Sequence, residues 1–232
     1  MELKRVVVTG LGAVTPLGNS VEETWKNLIN GVSGAGPITH FDSSLFKTQF
    51  ACEVKNFNAA DFMDKKEARK IDLFTQYAIA AAKMAVEDSG VNLDTVNKDN
   101  IGVIFGVVIG GLQTFEEEDG AYARTGKELG PKYSPFFIPK MITDIASGHI
   151  SMIYGFHGPN YTTTSACASS TNALADAFNL IRLGKASMIL SGGSEAAIRP
   201  SGVGGFNAMR ALSTRNEDPS TASRPFSASR DG

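Results

Sequence analysis

The stretch from Asn160 to Gly184 constrains the fold of this chain more than any other. Residues 160–165 are rich in β-branched and aromatic side chains, which favour a strand. The run from Ala168 to Leu183 predicts a helix that ends before Gly184, a residue well suited to a helix C-terminus. Cys167 therefore lies at a strand-to-helix turn, an element typical of layered α/β folds.

Cys167 is the candidate nucleophile of the chain. The first amides of a helix carry a positive partial charge, which favours a thiolate placed near them. A thiolate can attack an acyl carbonyl, and neighbouring backbone amides can stabilise the oxyanion that forms. A lone cysteine is more often a small buried hydrophobe. The sequence Thr164-Ser-Ala-Cys-Ala-Ser169 around it favours the catalytic interpretation.

The helix after Cys167 carries only two charged residues, Asp176 and Arg182. A helix without a strongly polar face is normally buried between layers. We therefore expect Cys167 to lie deep in the protein, where a substrate reaches it through a narrow tunnel on a long arm.

The composition excludes several classes of function. The chain has 232 residues, 42% of them hydrophobic, and a net charge of −2, which suits a globular domain and argues against a nucleic-acid groove. No apolar run is long enough to span a membrane or to form a signal peptide. Two cysteines, Cys52 and Cys167, make no disulfide framework, so we expect a cytoplasmic protein with Cys52 as a packed, unreactive thiol. We expect no metal and no cofactor.

Strands and helices alternate along the chain, which predicts an α/β layered fold. The residues from Ile101 to Ile109 are almost wholly apolar, as in a central strand covered on both faces. The pattern predicts strands over Lys4–Thr9, Phe50–Val54, Ile101–Ile109 and Ala186–Ser191, and helices over Ser20–Asn30, Lys66–Ser89 and Pro139–Tyr154. The residues after Arg210 show no regular periodicity.

Two glycine-rich turns imitate nucleotide-binding motifs. Gly10-Leu-Gly12 follows a predicted strand, but Thr15 stands in place of the third glycine and Pro16 prevents a helix there. The turn Gly106–Gly111 lacks the lysine of a phosphate-binding loop. Close approach of two backbone segments is the better explanation of the glycines in Gly106–Gly111.

Six motifs occur in one order along the whole chain, and together they identify a resemblance. They are Val6-Val-Val-Thr-Gly-Leu-Gly12, Gly106-Val-Val-Ile-Gly-Gly-Leu112, Ser134-Pro-Phe-Phe-Ile-Pro139, Thr164-Ser-Ala-Cys-Ala-Ser169, Gly202-Val-Gly-Gly-Phe206 and Arg210-Ala-Leu-Ser-Thr-Arg215. In them the chain resembles the N-terminal half of the elongating (type II) β-ketoacyl-acyl-carrier-protein synthases of bacterial fatty-acid synthesis. The resemblance implies a homodimer with a thiolase-like α-β-α-β-α layered fold built from two similar halves. Residues 1–232 would form the N-terminal half as one domain, with the C-terminal half absent.

The resemblance also implies a reaction. Cys167 would accept an acyl chain from acyl carrier protein as a thioester. Condensation with malonyl-acyl carrier protein would then release carbon dioxide and give 3-oxoacyl-acyl carrier protein. Two alternatives stay open: a thiolase-type enzyme that acts on coenzyme A thioesters, and a non-catalytic half that binds a partner chain.

Further site residues follow from the resemblance alone. It places Ile109 and Phe206 at the acyl tunnel, where plain core packing is the alternative. It also implies that Phe137 and Ile138, with Phe136, cross the dimer interface and close the acyl pocket of the partner. A basic cluster of Lys65, Lys66, Arg69 and Lys70 would meet the acidic acyl carrier protein, with Lys132 and Arg210 as additional candidates.

The histidines mark a departure from the family pattern. The resemblance places the two catalytic histidines, the active-site lysine and a glycine-rich gating loop beyond Gly232. His40, His149 and His157 fall in none of the matching motifs, and we assign none of them to catalysis. We therefore expect residues 1–232 to hold the nucleophile without the groups that bind the malonyl thioester. We also expect the apolar runs 101–109 and 186–191 to be poorly covered.

Overall fold

The computed structural model describes residues 3–232, apart from the side chains of residues 126 and 127. The described helices are α1 (Val21–Ile29), α2 (Lys65–Ala68), α3 (Leu73–Asp88), α4 (Leu112–Leu129), α5 (Phe137–Met141), α6 (Ile145–Tyr154), α7 (Ser169–Arg182) and α8 (Pro200–Ala208). The strands are β1 (Gly36–Pro37), β2 (Phe50–Ala51), β3 (Ile101–Gly106), β4 (Asn160–Thr163) and β5 (Met188–Gly193). Within residues 3–232, no helix combines the length and the apolarity needed to cross a membrane.

The chain divides into two compact units. The first unit contains the residues up to Gly12 together with Asn58–Ala196, and the second contains Ala13–Phe57 with Ala197–Gly232. The first unit holds Cys167, and the second holds Cys52.

A three-stranded parallel sheet forms the centre of the first unit, in the order β4-β3-β5. The central strand β3 alternates its side chains between two cores. Val103 and Phe105 face a cluster that includes Phe74 of α3 and Ile150 of α6. Ile104 faces the opposite side and contacts α7. The unit is therefore a sheet with helices on both faces, in agreement with the predicted α/β layering.

The strand β3 is buried along its whole length, from Ile101 to Gly106. The prediction that this run would be poorly covered is therefore wrong, because α7 on one face and the helices α3 and α6 on the other exclude water from it. The predicted strand at 186–191 lies two residues later, as β5, and is mostly half-buried.

The helix α7 differs from its prediction in burial. It begins at Ser169 and ends at Arg182, close to the predicted bounds, and Gly184 adopts a positive φ of 71° beyond its end. Ala173 and Ala177 are buried against the sheet, whereas Leu174 and Phe178 on another face are exposed. The expectation of a helix buried on all sides is wrong for the described residues, since only the sheet-facing side has a partner layer there.

The predicted strand Lys4–Thr9 does not form. Within residues 3–232 this segment joins no strand, and Val8 is 80% exposed. Its backbone donates one hydrogen bond, from Lys4 N–H to the carbonyl of Arg182 at 2.9 Å. A β-branched segment forms a strand only beside another strand that completes its hydrogen bonds. The local sequence does not show whether such a neighbour is present.

The glycines after this segment have a packing role. A side chain at Gly10 or Gly12 would overlap the backbone of α3 at Ala85 or Ala81. The chain can approach α3 this closely only without a Cβ atom, so close backbone packing explains Gly10 and Gly12.

The predicted helix over Lys66–Ser89 is two helices. Asp72 interrupts it, because its carboxylate accepts a hydrogen bond from the amide of Phe74 and so caps the start of α3. The same carboxylate accepts hydrogen bonds from the amide and the hydroxyl of Thr114 in α4, at 3.0 and 2.6 Å. Asp64 caps the short helix α2 in the same way.

Other predicted elements also changed. Pro139 lies inside α5 rather than opening one long helix, and α6 follows as a separate helix. Sequence patterning did not identify α4 or α8.

The predicted strand Phe50–Val54 is the two-residue strand β2, which pairs with β1 antiparallel. The predicted helix over Ser20–Asn30 is confirmed as α1, with Ser20 accepting a hydrogen bond from the amide of Glu23.

Candidate functional site

The carboxyl ends of the three parallel strands meet at one edge of the sheet in the first unit. Gly106 at the end of β3 is paired with Thr163 of β4 and with Gly193 of β5. The chain leaves these strands as the Cys167 turn after β4, a loop over residues 107–111 after β3, and residues 194 and 195 after β5. Sites in parallel α/β sheets form at this edge, so the cysteine lies where the topology favours chemistry.

The Cys167 turn contains a strained residue. Ala166 has a φ of +52°, a left-handed conformation that costs a residue with a side chain about 1–3 kcal/mol. Ser169 holds this conformation. Its Oγ accepts a hydrogen bond from the amide of Ser165 at 2.9 Å and donates one to the carbonyl of Ala166 at 2.7 Å. The turn is thus fixed by a buried side chain from the first residue of α7.

Close packing at the strand ends supports the same turn. A side chain at Gly106 would overlap the backbone between Ser169 and Ser170, and one at Gly193 would overlap the side chain of Ser170. Small residues at the ends of β3 and β5 therefore let the first turn of α7 approach the sheet. This geometry brings the start of the helix next to Cys167, as predicted.

Cys167 itself is exposed in the structure and forms no disulfide. The expectation that it lies deep in the protein is wrong for the described residues. The cause is the open face of α7, where Leu174 and Phe178 are 54% and 45% exposed. Cys167 stands two residues before the start of α7, where backbone amides can act on a negative charge at its sulfur.

The loop after β3 carries Ile109, which is half-buried. The amide of Val107 donates to the carbonyl of Thr163 at 3.2 Å, and the hydroxyl of Thr164 donates to the carbonyl of Val107 at 2.9 Å. The loop is therefore attached to the strand that leads into Cys167. The structure brings Ile109 and Cys167 to the same edge of the sheet.

Glu195 is a site residue that sequence reasoning missed. Its carboxylate accepts hydrogen bonds from three successive amides of this loop, those of Val108, Ile109 and Gly110, at 3.1, 2.8 and 3.1 Å. The available signal was a single acidic residue shortly after the predicted strand at 186–191, preceded by the sequence Gly192-Gly-Ser194.

Phe137 and Ile138 lie on α5. The ring of Phe137 stacks on Tyr133, with ring centroids 4.9 Å apart, and Ile138 is 54% exposed. Their role at a dimer interface stays a prediction.

Phe206 lies on α8 in the second unit. It lines a largely apolar cavity of about 620 Å³ that is formed by residues of this unit. Cys52 also lines the cavity and is exposed, so the prediction of a packed thiol is wrong. The cysteine faces this open space instead of neighbouring core side chains.

The predicted docking residues are mostly exposed. Lys66 and Arg69 are exposed on α2 and its C-terminal cap, and Lys132 is exposed between α4 and α5. Lys70 is less available for contact with a partner, because its ammonium lies 2.6 Å from a carboxylate oxygen of Glu67. Arg210 belongs to the second unit and is exposed there.

The three histidines differ in burial and in their acidic neighbours. Burial lowers the pKa of the His149 imidazole, and the nearby carboxylate of Glu67 opposes this shift in part. Nδ1 of His157 lies 2.9 Å from Asp99 on an exposed surface, and Nδ1 of His40 lies 3.7 Å from Glu53. In the described part of the chain, none of them forms a hydrogen bond with residues 163–169. Among the described residues, no three His, Cys, Asp or Glu side chains lie close enough together to bind a metal ion.

Comparison with known proteins identifies the family of this chain. Residues 3–232 match the family described as beta-ketoacyl synthase, N-terminal domain. A 3-oxoacyl-[acyl-carrier-protein] synthase 2 from Synechocystis sp. is 46% identical over 232 residues, which are 100% of this chain and 55% of that protein. The chain therefore spans about half the length of this curated relative.

Solved structures show the same fold. A beta-ketoacyl synthase from Burkholderia phymatum is 30% identical and superposes with a TM-score of 0.86, over 99% of this chain and 56% of that one. A type II PKS ketosynthase, solved with its acyl-carrier protein and a bound hexaketide, is 27% identical with a TM-score of 0.76, over 90% of this chain and 56% of that one. The match over nearly all of its residues and the fold that carries the Cys167 turn show that this chain belongs to the beta-ketoacyl synthase family, of which it has the N-terminal domain.

Proposed function

We propose that Cys167 is the residue that takes up the acyl chain in a fatty-acid elongating condensation. The sulfur attacks the carbonyl carbon of an acyl thioester on acyl carrier protein. A bond forms between Sγ and the acyl carbon, and the bond to the thiol of the carrier breaks. The observation that carries the proposal is the position of Cys167 on a strained strand-to-helix turn, in a chain of this family.

The second step joins two carbon chains. Loss of carbon dioxide from malonyl-acyl carrier protein gives an enolate, whose carbon attacks the thioester on Cys167. A carbon–carbon bond forms, and the sulfur leaves as a thiolate, which gives 3-oxoacyl-acyl carrier protein. We place this complete reaction in a homodimer, as the family resemblance implies. From the composition and the cysteine content we place it in the cytoplasm, with neither a nucleic acid nor a membrane as partner.

The acyl chain needs an apolar path from the sulfur. We propose that Ile109, which shares an edge of the sheet with Cys167, forms one wall of it. We propose Phe206 as a second residue of the acyl site from the family resemblance; within its own unit the ring lines an apolar cavity. Phe137 and Ile138 are proposed to close the acyl pocket of the second subunit, and the exposure of Ile138 supports this role.

Acyl transfer to the cysteine tests the proposed function. The protein expressed from its own gene is incubated with acyl-acyl carrier protein or with the matching acyl-coenzyme A, and its mass is measured intact. We expect one acyl group from the carrier, no acylation of Cys167→Ala, and normal acylation of Cys52→Ala. Faster transfer from coenzyme A would favour the thiolase-type alternative. An unmodified protein in both arms would leave only a binding role.

We propose that Lys66 and Arg69 dock the acidic carrier, with Lys70, Lys132 and Arg210 in weaker roles. An exposed basic patch steers an acidic partner, and raised salt screens the attraction. In surface plasmon resonance, Lys66→Glu/Arg69→Glu should bind acyl carrier protein severalfold more weakly than the unchanged protein. The matched control is Lys26→Glu/Lys55→Glu, which makes the same change in charge at exposed positions of the second unit. Equal binding by both variants would exclude this docking site.

A further inference from the structure

Three successive amides of the loop after β3 depend on one side chain for their hydrogen bonds. Oε2 of Glu195 accepts from the amides of Val108 and Ile109, and Oε1 accepts from the amide of Gly110. Three successive amides that point to one centre form a concave site for a negatively charged group. Hydrogen bonds to a carboxylate are among the strong ones in proteins, so Glu195 dominates the conformation of this loop.

The loop cannot replace these bonds from its own backbone. Gly110 has a φ of +74°, which takes the chain out of any regular strand or helix. A side chain there would approach the carbonyl of Met141 to 2.8 Å, so α5 lies close behind the loop. Val108 is partly exposed. Without the carboxylate, the three amides would therefore lose their hydrogen-bond partner, and the loop would sample other conformations.

The loop also connects Glu195 with the Cys167 turn. Val107, next to the three clamped amides, exchanges hydrogen bonds with Thr163 and Thr164. The residues after Thr164 form the Cys167 turn. Ile109 is thus held on one side by the strand that leads to the cysteine and on the other by Glu195.

From this arrangement we propose that Glu195 is a positioning residue that sets the acyl-chain selectivity of the enzyme. Its carboxylate fixes the backbone of residues 108–110, and this keeps Ile109 at a constant position beside the acyl chain on Cys167. Glu195 acts through Ile109 and does not contact the reacting atoms. The inference rests on the proposed function, since Ile109 can select among acyl chains only if Cys167 carries one.

Hydrogen exchange tests the clamp without any substrate. The variant is Glu195→Gln, whose amide group has one acceptor oxygen and a donor NH₂ in place of the second. We expect the amides of residues 108–110 to exchange about tenfold faster or more, which corresponds to a loss of about 1.4 kcal/mol in protection. The amides of β3 should keep their rates, as should all amides in the control Glu22→Gln on the exposed surface of α1. Unchanged exchange of residues 108–110 would overturn the clamp.

Acyl transfer then tests selectivity. The rate of Cys167 acylation is measured for a series of saturated acyl-acyl carrier proteins, from short to long chains. We expect Glu195→Gln to change the ratio of long-chain to short-chain rates by about threefold to tenfold. This is less than the discrimination that one methylene group provides in an apolar pocket. Glu22→Gln should keep the ratio of the unchanged protein. An equal loss at every chain length would mean that Glu195 only stabilises the fold, and would overturn its role in selectivity.

The two measurements separate this inference from the proposed function. If the unchanged protein accepts no acyl group from the carrier, the proposed function fails, and selectivity fails with it. The exchange rates still decide whether Glu195 holds the loop. If the unchanged protein is acylated and the variant keeps its chain-length ratio, only the inference about Glu195 fails.

Discussion

Ser169 has a larger effect on the site than its size suggests. It is 3% exposed, and its hydroxyl connects the two ends of the Cys167 turn by bonding to Ser165 and Ala166. Ala166 would otherwise relax from its left-handed conformation, because nothing in an alanine side chain compensates for that strain. The position of the candidate nucleophile is therefore set by a neighbour that performs no chemistry.

We predict that Ser169→Ala destabilises the protein by about 1–3 kcal/mol, because the amide of Ser165 loses its partner and the strained conformation of Ala166 loses the hydroxyl that supports it. Urea unfolding followed by circular dichroism measures this change. The adjacent Ser170→Ala is the control, because Ser170 is exposed, and its effect should stay within about 0.5 kcal/mol. Equal stabilities of the two variants would show that the hydroxyl of Ser169 does not support the turn.

At the scale of elements, α7 and the ends of β3 and β5 act together. The side of β3 that faces α7 presents Gly102, Ile104 and Gly106, so one large side chain lies between two glycines. This lets the helix pack tightly at its N-terminus, where it positions Cys167. The geometry of the candidate site follows from the packing of the helix on the sheet.

We predict that Gly106→Ala displaces the start of α7 and lowers the rate of Cys167 acylation. The added methyl group overlaps the backbone of Ser169 and Ser170, and overpacking of this kind costs about 1–3 kcal/mol. Gly148→Ala is the matched control, since a Cβ at Gly148 in α6 meets no atom within 4 Å. It should leave acylation unchanged and stabilise the helix by about 0.5–1 kcal/mol. Normal acylation of Gly106→Ala would contradict the packing argument.

The elements that the sequence predicted well are those with local causes. The order strand, Cys167 and helix follows from neighbouring residues, and so do the capping of α1 by Ser20 and the buried strand β3. The break in the helix before Ser89 was missed although its cap, from Asp72 to the amide of Phe74, is local, and the bond from Asp72 to Thr114, 42 residues away, could not be seen in the sequence. The helix α4 was missed because its many acidic residues obscure the helical spacing of its apolar residues.

The candidate site shows the same contrast between residues with local causes and residues with long-range causes. Cys167 was found from its own surroundings, whereas Glu195 lies 85 to 87 residues from the amides that it binds. Only the pairing of β3 with β5 shows that they meet. The burial of Cys167 was mispredicted for a similar reason, because burial depends on layers that face α7 and not on the sequence of α7 itself.

At the scale of the whole molecule, the described residues supply the candidate nucleophile Cys167 without a histidine hydrogen bonded to its turn. His149 is half-buried on α6, His157 is paired with Asp99, and His40 lies beside Glu53. Loss of carbon dioxide from a malonyl thioester places negative charge on the thioester oxygen. Hydrogen-bond donors aimed at that oxygen accelerate such steps by about 10²–10³ each.

We predict that the polypeptide of residues 1–232 alone does not release carbon dioxide from malonyl-acyl carrier protein above the background rate, because in the described residues none of its histidines hydrogen bonds to the Cys167 turn. The assay follows labelled carbon dioxide. The Synechocystis relative, about twice as long, is the positive control. Circular dichroism and gel filtration must first show a folded polypeptide, so that inactivity reflects missing donors. Robust release by the folded polypeptide would mean that a histidine of this chain takes part in the chemistry. The triple variant His40→Gln/His149→Gln/His157→Gln would then lose that activity.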